Sequence, residues 1–268
     1  MDSEIRNPKS EMPPLIREEG LFHRFAKGLV KGLYRTLWGC VWRGASRVPA
    51  DEPFLLIANH PSYLDPLCLY VGAPRRVFFM AWEQLFKVPW MGPFIRKNGV
   101  FPVTNIHTDT RAFRTAARLL KDGKPVGIFP EGGRSAPTGE MLPFLAGPFR
   151  LASLLRVPVL PVTVNASWRV WPRGPLLPRL GGHIEILFHP PLRLHPRARG
   201  RKPDTAQEAE DLARKTRDVI LGAYRAPPDV LERSRRTPVL PPGQHPLIQA
   251  DRHGVPPLDW LRRWTICP

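Results

Sequence analysis

Two short runs in this chain carry side chains able to move a proton. The first is Asn59-His60-Pro61-Ser62-Tyr63-Leu64-Asp65, an imidazole with a carboxylate one turn further on. The second is Phe129-Pro130-Glu131-Gly132-Gly133-Arg134-Ser135, a carboxylate, two glycines and a guanidinium in a tight loop. A neutral imidazole is the best side-chain base near neutral pH for a hydroxyl proton. Asp65 can accept the other ring N–H of His60 and fix its tautomer, the logic of a catalytic triad. In the second run the glycines let the backbone turn sharply and present N–H groups to an anion. Arg134 can then fork onto a phosphate or carboxylate. Each run also has a purely structural reading. Asp65 followed by Pro66 suits a helix N-cap, and Glu131 with Arg134 suits an ion-paired surface turn. Ser62, two residues from His60 on the same turn, reads as a structural hydroxyl rather than a nucleophile. No Gly-Lys-Ser/Thr ending follows Glu131, so the loop is not a nucleotide-binding P-loop. Taken together, the two runs hold what an enzyme needs to deprotonate a hydroxyl beside an anionic substrate.

The elements that must position them are legible from patterning. Pro53–Asn59 is a short apolar run bounded by turn residues, which suits a buried strand ending at His60. Val126–Phe129 is a second such strand and delivers the Glu131 loop. Further strands are expected at 77–81, 99–103, 157–164 and 184–188, the third-last segment carrying Pro102 and therefore suited to a sheet edge. Helical spacing covers 108–121, 148–155 and 205–224. Strands alternating with helices predict an α/β layer with a mixed, largely parallel sheet.

Residues 1–20 are polar and read as a mobile lead-in. From 21 to 43 apolar residues recur at Leu21, Phe25, Leu29, Leu33, Leu37 and Val41, flanked by Arg24, Lys27, Lys31, Arg35 and Arg43 with no acid among them. Two readings stand side by side: a helix packed on the core with a solvated basic face, or a helix lying in a bilayer interface with its cations at the headgroups. Residues 226–268 hold scattered prolines and arginines without periodicity and read as an extended tail with possible anchors at Trp260, Leu261 and Trp264. The expected division is therefore lead-in 1–20, amphipathic membrane-associating helix 21–48, catalytic domain 49–225 and Pro-rich tail 226–268.

The net charge of +17 favours an anionic partner: nucleic acid, a phospholipid surface or a phosphorylated substrate. Nucleic acid has only the charge in its favour, since no recognition motif or stacking platform of interleaved aromatics is present. Cys40, Cys68 and Cys267 are widely spaced and odd in number, which excludes a disulfide framework and a Cys-x-x-Cys metal site and suits a reducing compartment. No signal-peptide pattern and no run of 18 apolar residues occur, so no transmembrane helix is expected.

Taken in order, four blocks of this chain resemble the glycerolipid acyltransferase family, whose best-known members are the 1-acylglycerol-3-phosphate acyltransferases. Asn59–Asp65 matches the family's Asn-His-x-Ser-x-x-Asp. Gly99–Val103 is similar to its glycine-led second block, and Phe129–Ser135 to its Phe-Pro-Glu-Gly-x-Arg-Ser. Val157–Val162 matches its Val-Pro-x-x-Pro-Val strand, and Trp171-Pro172-Arg173-Gly174 also has a familial look. The resemblance spans about residues 20–225. It implies transfer of a fatty acyl group from a thioester, on coenzyme A or acyl carrier protein, to the hydroxyl of a lysolipid at the cytoplasmic face of a membrane. On that mapping His60 is the general base and Asp65 its orienting partner. Glu131, Gly132, Gly133, Arg134 and Ser135 bind and place the acceptor. No metal and no cofactor beyond the thioester co-substrate is implied.

Two positions depart from the family pattern. An arginine usually ends the second block where Asn105 stands, and a lysine is common where Leu145 follows Phe144. Arg96, Lys97 or Arg111 could replace the missing charge; alternatively the acceptor is a lysolipid without phosphate, such as a lyso amino-acid lipid. A thioesterase, with water in place of the lysolipid, and a non-enzymatic membrane-binding protein on the same fold are the remaining rivals.

Overall fold

The protein is described here from a computed structural model covering residues 21–89, 91–104, 109–175, 177–194 and 205–240. The expectations placed on residues 1–20, on Asn105 and on Trp260, Leu261 and Trp264 lie outside the described residues. The chain opens with α1 (Leu21–Trp38), β1 (Val41–Arg43), β2 (Leu55–Ala58), α2 (Asp65–Gly72) and β3 (Phe78–Trp82). Next come α3 (Met91–Lys97), β4 (Phe101–Val103), α4 (Thr110–Lys121), β5 (Val126–Ile128) and β6 (Phe144–Leu145). It continues through α5 (Gly147–Leu155), β7 (Val159–Asn165), α6 (Ser167–Val170), β8 (Glu185–Phe188) and α7 (Thr205–Ala223). It ends, within the described residues, with α8 (Pro228–Arg236) and β9 (Val239–Leu240).

Seven strands form one sheet in the order β1-β8-β7-β2-β5-β3-β4. All its pairings are parallel except β7 with β8, so the sheet is mixed and largely parallel, as the alternation of strand and helix predicts. β4 is an edge strand, which accommodates Pro102 without the loss of a ladder bond. β2 and β7 are buried along their whole length because helices cover both faces, and this explains why they read as continuous apolar runs rather than alternating ones. Successive β2 side chains enter different cores. Leu55 and Ile57 pack with α4, α5 and α7 on one face, while Leu56 and Ala58 pack with α1 and α2 on the other.

Two expectations need correction. The amphipathic helix does not run to residue 43. It stops at Trp38, where Gly39 takes a left-handed φ of 53° beside the Gly182 carbonyl, and Val41 begins a strand paired with β8. The segment after residue 225 is also not wholly an extended tail. Pro228 supplies the pre-set first turn of α8, Val230 and Ser234 are buried against the domain, and β9 pairs in parallel with β6.

Candidate active site

Because β2 and β5 are parallel neighbours, their carboxyl ends bring residues 59–65 and 129–135 to the same sheet edge, where open α/β sheets place ligand sites. Asn59 adds one side-chain rung to the sheet beyond Ala58. Its amide donates to Val164 O at 2.9 Å and its oxygen accepts from Val164 N at 2.7 Å. This fixes the point at which the chain leaves the sheet and sets His60 at the cleft.

The His60 side chain is 17% exposed and its ring stacks on Phe129 with centroids 4.0 Å apart and planes 21° from parallel. Its Nδ1 lies 3.0 Å from Asp65 Oδ2. A carboxylate there accepts the Nδ1–H and leaves the lone pair on Nε2, the tautomer a general base requires. Asp65 is fully buried, and burial pushes its pKa up while the bond to His60 pulls it back. It is not the N-cap of α2, a position held by Leu64. It opens the helix itself, ahead of Pro66, and its Oδ2 also accepts from Ser62 N at 2.6 Å. Ser167 lies close enough to favour the ionised form of Asp65, although neither Ser167 Oγ nor Asp65 Oδ1 completes a hydrogen bond of its own. Ser62 is structural: its hydroxyl donates to Trp171 O at 2.9 Å and accepts from Leu64 N at 3.1 Å.

The two loops are bolted together through Glu131. Its Oε1 accepts the backbone N–H of His60 at 2.7 Å, and its Oε2 accepts from Ser135 Oγ and Leu142 N, both at 2.8 Å. Ser135 N closes the clamp by donating to His60 O at 2.8 Å. Glu131 is fully buried, and burial pushes its pKa up to about 7, with these three donors resisting the rise. Of the three side chains expected to contact an acceptor, Glu131 and Ser135 are thus turned inward and hold the loop that carries His60. Gly132 takes a φ of 69°, which only glycine adopts readily, and its N–H bonds to Phe129 O rather than standing free for an anion.

Arg134 makes no ion pair with Glu131. Its guanidinium carbon sits 3.5 Å from the centre of the Tyr63 ring, and burial together with Arg173 lowers its pKa to about 10, so it stays charged at neutral pH. Among the described residues neither Arg134 nor Arg173 has an acidic partner. Arg173 is the cation that pattern reading failed to place; its only signal was the familial Trp171–Gly174 run. The alternatives fare differently. Arg96 lies over the Phe86 ring and Arg111 projects from the start of α4, while Lys97 is exposed. Leu145 is buried and donates its N–H to Pro130 O, so this position serves the core. Among the described residues no group of three or more His, Cys, Asp or Glu is placed to hold a metal.

Comparison with known proteins gives a consistent result. The Acyltransferase family model matches residues 40–165. The 1-acyl-sn-glycerol-3-phosphate acyltransferase of Bacillus subtilis (strain 168) is 31% identical over 140 residues, covering 52% of this chain and 69% of that protein. The alpha form from Homo sapiens is 32% identical over 127 residues, or 46% of this chain and 44% of that protein. The Brassica napus chloroplastic protein BAT2 is 28% identical over 153 residues, and the chain spans 44% of its length. The crystal structure of the 1-acyl-sn-glycerophosphate acyltransferase PlsC from Thermotoga maritima superposes with a TM-score of 0.59 at 27% identity, covering 77% of this chain and 82% of that one. The shared fold, the matched domain and the 31% identity to the Bacillus subtilis protein across 69% of its length establish that this chain belongs to the acyltransferase family that includes the 1-acyl-sn-glycerol-3-phosphate acyltransferases.

Proposed function

We propose that the protein transfers a fatty acyl group from a thioester to the free hydroxyl of a lysolipid, with 1-acyl-sn-glycerol-3-phosphate as the favoured acceptor. His60 Nε2 takes the hydroxyl proton as the oxygen attacks the thioester carbonyl. The tetrahedral intermediate collapses with cleavage of the carbon–sulfur bond, and the proton on His60 passes to the departing thiolate. Asp65 keeps the ring in the reactive tautomer and stabilises the imidazolium while it carries the proton. The observation that carries this reading is the 3.0 Å Nδ1–Oδ2 contact in a loop whose backbone is fixed by Glu131.

The acceptor assignment rests on a second feature. Arg134 and Arg173 are two neighbouring cations without a carboxylate between them, an arrangement that a phosphate headgroup would satisfy. The exposed Phe25, Leu29 and Leu33 of α1 support peripheral attachment to a bilayer, and among the described residues no helix is long and apolar enough to cross one. The test is purified protein with labelled palmitoyl thioesters and a panel of lysolipids, read by mass spectrometry. Acylated product from lysophosphatidic acid, exceeding that from neutral and amino-acid lysolipids, is the expected result. Thioester hydrolysis of equal rate with and without acceptor would make the protein a thioesterase instead.

A further inference from the structure

Asp65 is fully buried with one of its two oxygens unspent. Oδ2 meets His60 Nδ1 at 3.0 Å and Ser62 N at 2.6 Å, whereas Oδ1 has no donor among the described residues. Burial without enough donors favours the protonated acid. A protonated Asp65 would donate to Nδ1 and leave the ring hydrogen on Nε2, the tautomer that cannot act as a base. The titratable groups facing Asp65 from the surrounding elements bring no second cation. They are Tyr34 of α1, Cys68 of α2, Glu131 of the neighbouring loop and Tyr224 just past α7. What the carboxylate lacks is a neutral donor aimed at Oδ1.

Such a donor stands beside it. Ser167 is fully buried, and its hydroxyl has no partner either. Two joints between the chain around α6 and the His60 loop fix its place. Before it, the Asn59 amide forms a two-bond rung with Val164. After it, Trp171 N donates to Ser167 O at 3.0 Å, and Trp171 O accepts from Ser62 Oγ at 2.9 Å. Between these joints Ala166 takes a left-handed φ of 62°, a conformation disfavoured for any residue with a Cβ. That turn ends β7 in one step and opens α6 with Ser167 next to Asp65. Trp168, one residue further, turns its ring to Gly139 and the opposite core, so its own unpaired Nε1 does not serve Asp65. Packing alone does not call for a hydroxyl here, because alanine would fill the space and leave no polar atom to satisfy. Two buried polar atoms that are each unfavourable alone are satisfied together, since a hydroxyl hydrogen rotates to suit its acceptor.

We propose that Ser167 is a positioning residue for the acyl transfer: its hydroxyl donates to Asp65 Oδ1, keeping the carboxylate ionised and Oδ2 aimed at His60 Nδ1. Ser167 touches no reacting atom and acts through Asp65 alone. The inference rests on the reading of His60 as the general base.

The test uses the full chain, with palmitoyl-CoA and 1-acyl-sn-glycerol-3-phosphate as probes. Isotope-labelled aspartate reports carboxyl protonation by NMR, and the Asp65 signal is assigned by its loss in Asp65→Asn. Ser167→Ala removes the donor, and Ser167→Cys keeps a side chain of similar shape with a much weaker one. In both variants kcat should fall by about tenfold, with KM for either substrate nearly unchanged. The acid limb of the kcat/KM profile should move to higher pH by about half a unit or more, because losing a donor to the charged form favours the neutral one. The Asp65 carboxyl should take up its proton at a pH higher by the same amount. An Asp65 midpoint that stays in place in either folded variant overturns the inference and leaves Ser167 a packing residue, whatever happens to turnover. If the wild type transfers no acyl group, the proposed function fails, and the carboxyl titration still decides whether Ser167 holds Asp65.

Discussion

At the carboxyl ends of β2 and β5, a buried carboxylate accepts three hydrogen bonds and ties one loop to the next. Along the outer side of α1, Phe25, Leu29 and Leu33 stand 72%, 67% and 51% exposed. The clamp in the first region satisfies its own polar atoms, and the second region is left uncovered among the described residues. A buried polar network must satisfy its own atoms, because each unpaired one costs about 1–3 kcal/mol, and so it specifies its neighbours. An exposed apolar ridge specifies only the apolar character of what would cover it.

The sharpest way to break this comparison is at the imidazole. His60→Ala should lower turnover by at least about a hundredfold, the scale of losing a general base. Tm falls as well, because buried Asp65 loses a partner, but the variant still folds, since the clamp engages the backbone of residue 60 rather than its ring. Steady-state kinetics beside a thermal melt decide it. Near-wild-type turnover in the folded variant would remove the chemistry assigned to this edge.

Glu131 gives the next largest effect, and its sign follows from burial. A carboxyl whose pKa is raised to about 7 in the folded state still holds its proton between pH 4.5 and 7, where the unfolded chain has released it. Folding is therefore unpenalised by this group at low pH and loses stability as pH rises through that window, by up to about 3 kcal/mol above it. Denaturant melts of the wild type and Glu131→Gln should diverge accordingly, with the wild type losing ground to the variant from pH 4.5 to 7.5. A gap independent of pH would show that the three donors fully offset the burial.

What could be read from sequence divides along the same line. The strands at 55–58, 126–128 and 159–165 were visible because two-sided burial leaves uninterrupted apolar runs. His60 and Asp65 were visible because their pairing is local, within one turn. The direction in which Glu131 faces was not visible. A buried clamp and a substrate contact use the same carboxylate, and only its tertiary donors, Leu142 N and His60 N, distinguish them. Arg173 was missed as a neighbour of Arg134 for the same reason, since the two approach only after folding. The ordered part of the C-terminal segment escaped because α8 buries little beyond Val230 and Ser234 and shows no apolar stripe.

The ridge supplies the third test. Phe25→Ser/Leu29→Ser/Leu33→Ser should weaken binding to anionic vesicles by at least about tenfold, a fraction of the roughly 1.5–3 kcal/mol available from each fully buried apolar side chain. Palmitoyl transfer to a soluble short-chain acceptor should persist, since none of the three side chains belongs to the loop clamp. Unchanged co-sedimentation would mean that α1 presents this face to something other than lipid.

The smallest effect separates the cations of α1 into two kinds. The pattern placed Lys27 and Lys31 with Arg24 and Arg35 as headgroup contacts, but the fold turns both lysines toward the domain. Lys27 Nζ donates to Ala73 O at 2.7 Å, the carbonyl that caps the end of α2, and lies over the Tyr70 ring. Lys31 sits 5.0 Å from the centre of the Trp42 ring. A cation at a helix C-terminus or over an aromatic face contributes about 0.5–1 kcal/mol when partly exposed. Lys27→Met/Lys31→Met should therefore lower Tm by roughly 2–8 °C while leaving vesicle affinity close to that of the wild type. Arg24→Gln/Arg35→Gln should do the reverse, because both arginines are exposed beside the ridge and each can add on the order of 1 kcal/mol at an anionic leaflet. If the lysine pair governed vesicle binding and the arginine pair governed Tm, α1 would have to detach from the domain on the membrane, and its docked face would be the one that meets lipid.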